Sequence, residues 1–120
     1  MKEFIKDVIP SKINDMRIGV EAFIELYNAG KCEFIDIRVV EETKVWQVNF
    51  GLKIPAPELP ERLDELPKEK LIVVACPKSV RSNMARMWLS TQGFEVKYLS
   101  DGLIGLMDYL KGSKAQMIQF

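Results

Sequence analysis

The sequence predicts an α/β domain in which a central parallel sheet carries helices on both faces. Residues 71–75 (Leu-Ile-Val-Val-Ala) form an apolar run without polar alternation, which is typical of a strand covered on both faces. A helical pattern begins a few residues later, and strand-like and helix-like segments alternate along the chain. This alternation favours parallel strands joined by right-handed helical crossovers.

Size and composition indicate one ordinary globular domain. The chain has 120 residues, 48% of them apolar and 28% charged, with 17 basic and 17 acidic side chains. This charge balance argues against nucleic-acid binding. Two cysteines are too few for a secreted disulfide scaffold, and neither an export signal nor an apolar run of about 20 residues is recognisable. We therefore expect a cytoplasmic protein without a membrane-spanning segment. We divide it into an N-terminal segment packing on the domain (1–16), a domain (17–111) and a C-terminal tail (112–120).

The first 30 residues predict two helices. Apolar residues at 4, 5, 8 and 9 are spaced as a short amphipathic helix that Pro10 ends. We expect this helix to pack on the domain's edge; a partner-binding arm is the alternative. A second helix follows, with core-facing residues at helical spacing and a stop at residues 28–30: Val20, Phe23, Ile24 and Tyr27.

Residues 31–38 predict a strand that ends in two charged side chains, Asp36 and Arg38. Cys32 lies at the opposite end of this strand from them. A disulfide between Cys32 and Cys76 would require the two sulfurs to meet across the length of the sheet. We therefore expect Cys32 to be a small buried apolar residue.

Residues 41–66 predict short elements separated by a proline-rich break. Residues 41–50 favour a short helix followed by a strand, with Trp46 in the core rather than on a pocket rim. Residues 55–57 (Pro-Ala-Pro) break the chain, and a short helix is expected over residues 58–66.

The last third continues the alternation of helices and strands. A helix is predicted from about Val80 to Gly93, a strand over residues 96–99, and a further helix whose buried face comprises Leu103, Leu106, Met107 and Leu110. The tail carries Met117, Ile118 and Phe120, which either fold back or bind something.

The loop after the apolar run carries the candidate chemistry: Cys76, Pro77, Lys78, Ser79, Val80, Arg81 and Ser82. Cys76 lies where the strand ends and the helix begins, so main-chain N–H groups and the positive end of the helix dipole would stabilise a thiolate there. The chain contains no histidine, so activation must come from Lys78, Arg81 and the loop amides. The alternative is a buried structural cysteine beside two solvated cations.

The loop spacing resembles that of the rhodanese family, in which cysteine, four residues and arginine close on a helix. Cys76 to Arg81 has this spacing. The strand at residues 34–38 resembles the family's Asp-x-Arg strand end, and residues 51–55 (Gly-Leu-Lys-Ile-Pro) its Gly-Ala-x-Asn-Ile-Pro turn. Residues 93–96 and Asp101-Gly102 are similar to later landmarks. The resemblance covers about residues 17–111 and implies a single-domain rhodanese-like fold.

The resemblance implies a sulfurtransferase that carries sulfane sulfur as a persulfide on Cys76. A small sulfur-containing anion such as thiosulfate would be the donor, and cyanide, a small thiol or a protein thiol the acceptor. Residues 77–82 would bind the substrate, with Lys78 attracting the anion and Arg81 stabilising charge. Asp36 and Arg38 would support the neighbouring loops. The implied reaction needs no metal or organic cofactor, and no nucleic-acid or membrane partner is expected.

Two other functions remain open from the sequence. Pro77 lacks an N–H group and Ser79 replaces a glycine that is frequent in the family, which favours a sulfur carrier or binding module that receives a persulfide from a partner. Phosphatases also use a cysteine-to-arginine loop, but theirs has five intervening residues. The four residues between Cys76 and Arg81 favour sulfur over phosphate.

Overall fold

A computed structural model describes residues 5–119 and contains a five-stranded, all-parallel sheet. The strands lie in the order β1-β5-β4-β2-β3. Their bounds are β1 Arg17–Ile18, β2 Cys32–Asp36, β3 Leu52–Lys53, β4 Leu71–Ala75 and β5 Val96–Leu99. The apolar run predicted to be a buried strand is thus the central strand, which confirms the predicted fold class.

Helices connect the strands and cover the sheet on both faces. The α-helices are α1 Pro10–Met16, α2 Val20–Asn28, α3 Val40–Thr43, α4 Val80–Thr91 and α5 Gly102–Leu110. Short 3₁₀ helices occupy Ala56–Glu61, Leu63–Glu65 and Gly112–Met117. None of the helices in residues 5–119 is both long and apolar enough to cross a bilayer.

Two apolar layers hold the sheet between its helices. One layer packs α2 and α5 against the strands and contains a group of aromatic rings with centroids 4.8 to 5.7 Å apart: Phe23, Tyr27, Phe34 and Phe50. The other packs α4 and the 3₁₀ segment at residues 56–65 against the opposite face. Alternating residues of β4 enter the two layers, Val73 the first and Val74 the second.

Two sequence predictions are wrong in their local detail. Pro10 begins a helix instead of ending one, because its fixed φ and missing N–H suit the first helical turn. Phe4, part of the expected helix, lies outside the described residues. The short helix expected over residues 58–66 is present as two 3₁₀ segments in a stretch that has prolines at 55, 57 and 60. Residues 44–51 contain no strand; the chain pairs with β2 only at β3.

Residues 112–119 of the tail fold back onto the domain, whereas Phe120 lies outside the described residues. Ile118 is buried in the layer formed by α2 and α5, while the Asn28 amide donates to the Met117 carbonyl at 2.7 Å. The main-chain N–H of Gln119 in turn donates to Asn28 Oδ1 at 2.9 Å. Residues 112–119 therefore lie at the sheet edge opposite the carboxyl ends of the strands, since Asn28 ends α2, the helix that leads into the start of β2.

Candidate active site

Cys76 directly follows β4 and points its sulfur at the start of α4. The main-chain N–H of Ser82 donates to Cys76 Sγ at 3.3 Å, and the side chain is only 2% exposed. Ser82 lies in the first turn of the 12-residue helix, where N–H groups lack intrahelical partners. The unpaired amides and the helix dipole favour a negative charge on this sulfur. Within the described residues, Ser82 supplies the one hydrogen bond that reaches Sγ, fewer than the sequence suggested.

Helix α5 fixes the backbone of the loop from the other side. The N–H of Leu103 donates to the Cys76 carbonyl at 2.8 Å, and the N–H of Ile104 donates to the Pro77 carbonyl at 3.2 Å. Gly102 has a φ of 68°, and a side chain there would overlap the carbonyl oxygens of Pro77 and Lys78. The close approach of loop and helix therefore requires glycine at residue 102.

Arg81 forms an ion pair with Glu42, a residue that the sequence analysis did not predict to be part of the site. Its Nη1 and Nη2 donate to the two oxygens of Glu42 in α3, at 2.7 and 2.8 Å. Hydrogen bonds from Arg81 lower the pKa of Glu42 to about 2. The same hydrogen bonds raise the pKa of Arg81, and an ionised Cys76 would add to that rise.

Asp36 and Arg38 form a buried ion pair beside the loop. Both are 1% exposed, and Arg38 Nη2 contacts Asp36 Oδ2 at 2.8 Å. Arg38 also donates to the Trp46 carbonyl at 3.2 Å and stacks on the Trp46 ring at 3.9 Å. This arrangement suits the supporting role expected of the pair, because it holds the segment that carries Trp46.

The remaining loop residues do not converge on the sulfur. Lys78 and Val80 are exposed, and the Ser82 hydroxyl donates to the Ser79 carbonyl at 3.0 Å rather than facing the site. The Ser79 carbonyl also accepts the Asn83 N–H at 2.9 Å. Ser79 and Ser82 thus shape the first turn of α4, and Lys78 is placed at the mouth of the site.

Two depressions open beside Pro77. An apolar hollow of about 420 Å³ is lined by Arg38, Glu42, Val45, Trp46, Pro77, Ile104 and Met107. An acidic groove of about 830 Å³ runs between the start of α2 and α5, and its walls include Glu21, Lys78, Asp101 and Asp108. The expectation that Trp46 is a core residue is therefore wrong in part: it is half-buried and forms a wall of the hollow.

Comparison with known proteins agrees with this geometry. The sequence profile of rhodanese-like domains matches residues 20–107. The chain belongs to the rhodanese-like domain family. The matched segment of this rhodanese-like domain contains every part of the site described above: the loop at residues 76–82, Asp36, Arg38, Glu42 and the start of α5.

Individual relatives extend the comparison. A sulfurtransferase of Allochromatium vinosum is 32% identical over 71 residues, which cover 58% of this chain and 66% of the relative. A tRNA uridine(34) hydroxylase of Erwinia tasmaniensis is 32% identical over 89 residues, but the match spans only 25% of its length. The crystal structure of a rhodanese-related protein from Thermoplasma volcanium has a TM-score of 0.65 and 25% identity, covering 77% of this chain and 90% of that one.

Proposed function

We propose that this rhodanese-like domain is a sulfurtransferase that works through a persulfide on Cys76. The Cys76 thiolate attacks the outer sulfur of thiosulfate or a similar donor. The sulfur–sulfur bond of the donor breaks, its electron pair leaves with sulfite, and Cys76 keeps the transferred sulfur. A thiolate or cyanide then attacks that outer sulfur and regenerates the Cys76 thiolate.

One observation carries the proposal: Cys76 Sγ accepts the Ser82 N–H at the start of α4. A sulfur so placed is stabilised as an anion both before attack and as a persulfide. Arg81 adds a positive charge that Glu42 holds in position, and Lys78 attracts an anionic donor to the mouth. The cysteine carries the sulfur itself, so the proposed cycle uses no metal or organic cofactor.

The sulfurtransferase named among the relatives supports this type of reaction. The match covers 66% of the sulfurtransferase and 25% of the tRNA uridine(34) hydroxylase. The hydroxylation named for the second relative is therefore the activity of a much longer chain. A reducing cytoplasm suits the proposal, because Cys76 must return to a free thiol after every cycle, and Cys32 and Cys76 are both free in the structure.

The test is the intact mass of the protein after exposure to thiosulfate. We expect the gain of one sulfur atom, its loss on reduction, and no gain in Cys76→Ser. A cyanide-dependent rate of sulfur transfer should accompany it. Absence of the mass gain with thiosulfate and with a low-molecular-weight persulfide would refute the proposal.

A sulfur carrier with little turnover is the second candidate, favoured by the 2% exposure of Cys76 and by the missing N–H of Pro77. A carrier would gain one sulfur atom but release it slowly to cyanide. A phosphatase would instead hydrolyse an aryl phosphate, and we expect none of this activity, because the loop is one residue shorter than a phosphate-binding ring. Parallel assays of sulfur transfer and aryl-phosphate hydrolysis separate the three functions.

A further inference from the structure

Several exposed apolar side chains lie in or near the loop that carries Cys76 (residues 76–82). Val80 lies within the loop and Met84 one turn further along α4, with 72% and 63% of their surfaces exposed. Val45 and Ile104, exposed by 80% and 53%, stand at the apolar hollow, and Val40 begins α3. Apolar exposure concentrated around a reactive group is typical of a surface that contacts another macromolecule.

The charged side chains that line or adjoin the apolar hollow are already paired. Arg38 is neutralised by Asp36 at 2.8 Å, and Arg81 by Glu42 at 2.7 Å. Glu42 itself lines the hollow beside Pro77. Lys78 is exposed on the groove side of the loop. A free anion that enters the hollow therefore meets apolar walls and guanidinium groups already paired with carboxylates.

The acidic groove continues this surface past the loop. It shares Pro77 and Ile104 with the apolar hollow, so the two depressions are contiguous. Its charged walls are the exposed Glu21, Asp101 and Lys78, together with Asp108, which pairs with Lys111 at 2.8 Å, so carboxylates outnumber ammonium groups in its lining. The combined surface thus has an apolar part beside the loop and an acidic part beyond it, which complements a basic segment with an apolar anchor.

We propose that the sulfur acceptor is a protein cysteine carried on a segment with an apolar side chain next to the cysteine and basic side chains beyond it. The apolar side chain would occupy the hollow at Trp46, and the basic side chains would face Glu21 and Asp101. This proposal rests on the proposed function, of which it specifies the acceptor. The acceptor thiolate attacks the outer persulfide sulfur, the sulfur–sulfur bond breaks, and its electron pair returns to Cys76.

Peptide binding tests the surface independently of sulfur chemistry. The probe is a fluorescein-labelled peptide with leucine before, and three lysines after, a serine in place of cysteine, measured by anisotropy on the unloaded protein. Val45→Ser combined with Ile104→Ser should weaken binding about tenfold or more, because the apolar contacts are lost. Asp101→Asn combined with Glu21→Gln should weaken it about threefold to tenfold at low salt, and less at high salt.

Two matched controls guard the interpretation. Met117→Ser removes a comparably exposed apolar side chain (42%) at the opposite edge of the sheet and should leave binding unchanged. A peptide with three glutamates in place of the lysines should bind at least tenfold more weakly than the lysine peptide. Equal binding of both peptides, or equal binding by the parent and both double variants, would overturn the proposal.

Sulfur transfer to the cysteine form of the peptide completes the test. The double variants change only side chains and keep the main-chain Ile104 N–H that holds the loop, so they should accept sulfur from thiosulfate at the parent rate within about twofold. They should deliver it to the lysine peptide about tenfold more slowly. Normal loading with no peptide preference would refute the acceptor while leaving the sulfurtransferase intact. Peptide binding without loading of Cys76 would refute the sulfurtransferase while leaving the docking surface intact.

Discussion

The two cysteines have similar burial but opposite surroundings. Cys32 is 4% exposed and Cys76 2% exposed, both are free, and they lie at the ends of neighbouring parallel strands. Cys32 begins β2 opposite Leu71, whereas Cys76 follows Ala75, the last residue of β4. They therefore occupy opposite edges of the same sheet.

The edges differ in the charge that they favour. Burial, and then the negative charge of Glu33, raise the pKa of Cys32 to about 11. Cys76 instead accepts the Ser82 N–H at the amino end of α4, and an ionised Cys76 would interact favourably with the Arg81 guanidinium. In a parallel sheet the amino ends of helices meet at the carboxyl edge, so we expect the position of each cysteine in the sheet, rather than its burial, to decide its reactivity.

The largest expected effect is the contrast in alkylation. At pH 8 about one Cys32 thiol in a thousand is ionised, given its raised pKa. Iodoacetamide should modify Cys76 at least about 100-fold faster than Cys32, as followed by peptide mapping. Raising the pH to 9 should increase the Cys32 rate about tenfold, because its thiolate fraction is still far from saturation. In urea the two should react alike; similar rates in the folded protein would remove the contrast.

Gly102→Ala tests how tightly the carboxyl edge is built. A side chain there meets the backbone of Lys78 at a positive φ, so we expect about 3 kcal/mol of destabilisation in urea unfolding and a loss of sulfur transfer. Gly112→Ala is the matched control, since its φ is 65° and open space surrounds it. That variant should lose about 1 kcal/mol and keep its activity. Equal losses for the two variants would mean that Gly102 does not fix the loop.

Arg81→Ala tests the electrostatic part of the contrast. We expect about a tenfold slower alkylation of Cys76 at neutral pH, because a positive charge near the thiolate is lost. Lys68→Ala, which removes a cation that contacts Phe94 and the Gln92 carbonyl, should change nothing. Identical rates for Arg81→Ala and the parent would exclude Arg81 from activation.

Glu42→Gln should change the alkylation rate of Cys76 and the rate of sulfur transfer in opposite directions. Removing the carboxylate leaves the charge of Arg81 uncompensated, so alkylation of Cys76 should rise about twofold to threefold. Sulfur transfer should fall, since glutamine can accept only one of the two hydrogen bonds by which the carboxylate holds Arg81. Glu65→Gln, in an exposed pair with Arg62, is the control for removing a carboxylate. Parallel changes in alkylation and transfer would argue against a positioning role for Glu42.

The smallest effect concerns acid stability. The pKa of Glu42 is lowered to about 2, so its pairing stabilises the folded state above its ordinary pKa and is lost as pH falls towards 2. The pair is partly exposed, so its contribution is about 0.5 to 1 kcal/mol. The unfolding free energy of Glu42→Gln should be lower than the parent's by this amount at pH 7 and equal to it near pH 2. A difference that persisted at low pH would have another cause.

Sequence patterns predicted the parts of the fold that have a simple physical signature. The uninterrupted apolar run at residues 71–75 predicted the central strand, and loop spacing placed Cys76 before α4. Patterns failed where one residue type suits two structures, as Pro10 suits both the end and the first turn of a helix. Glu42 was missed because it lies 39 residues from Arg81 in a four-residue helix, and no local pattern records that long-range pairing.

The hydrogen bonds from α5 to the loop carbonyls have a consequence for how ligands reach Cys76. The Leu103 and Ile104 N–H groups hold the carbonyls of two successive residues, Cys76 and Pro77. Swinging the loop open would break both bonds at once. We therefore expect the loop to keep its position when a ligand binds, so that access to the sulfur depends on the shape of the ligand rather than on movement of the loop.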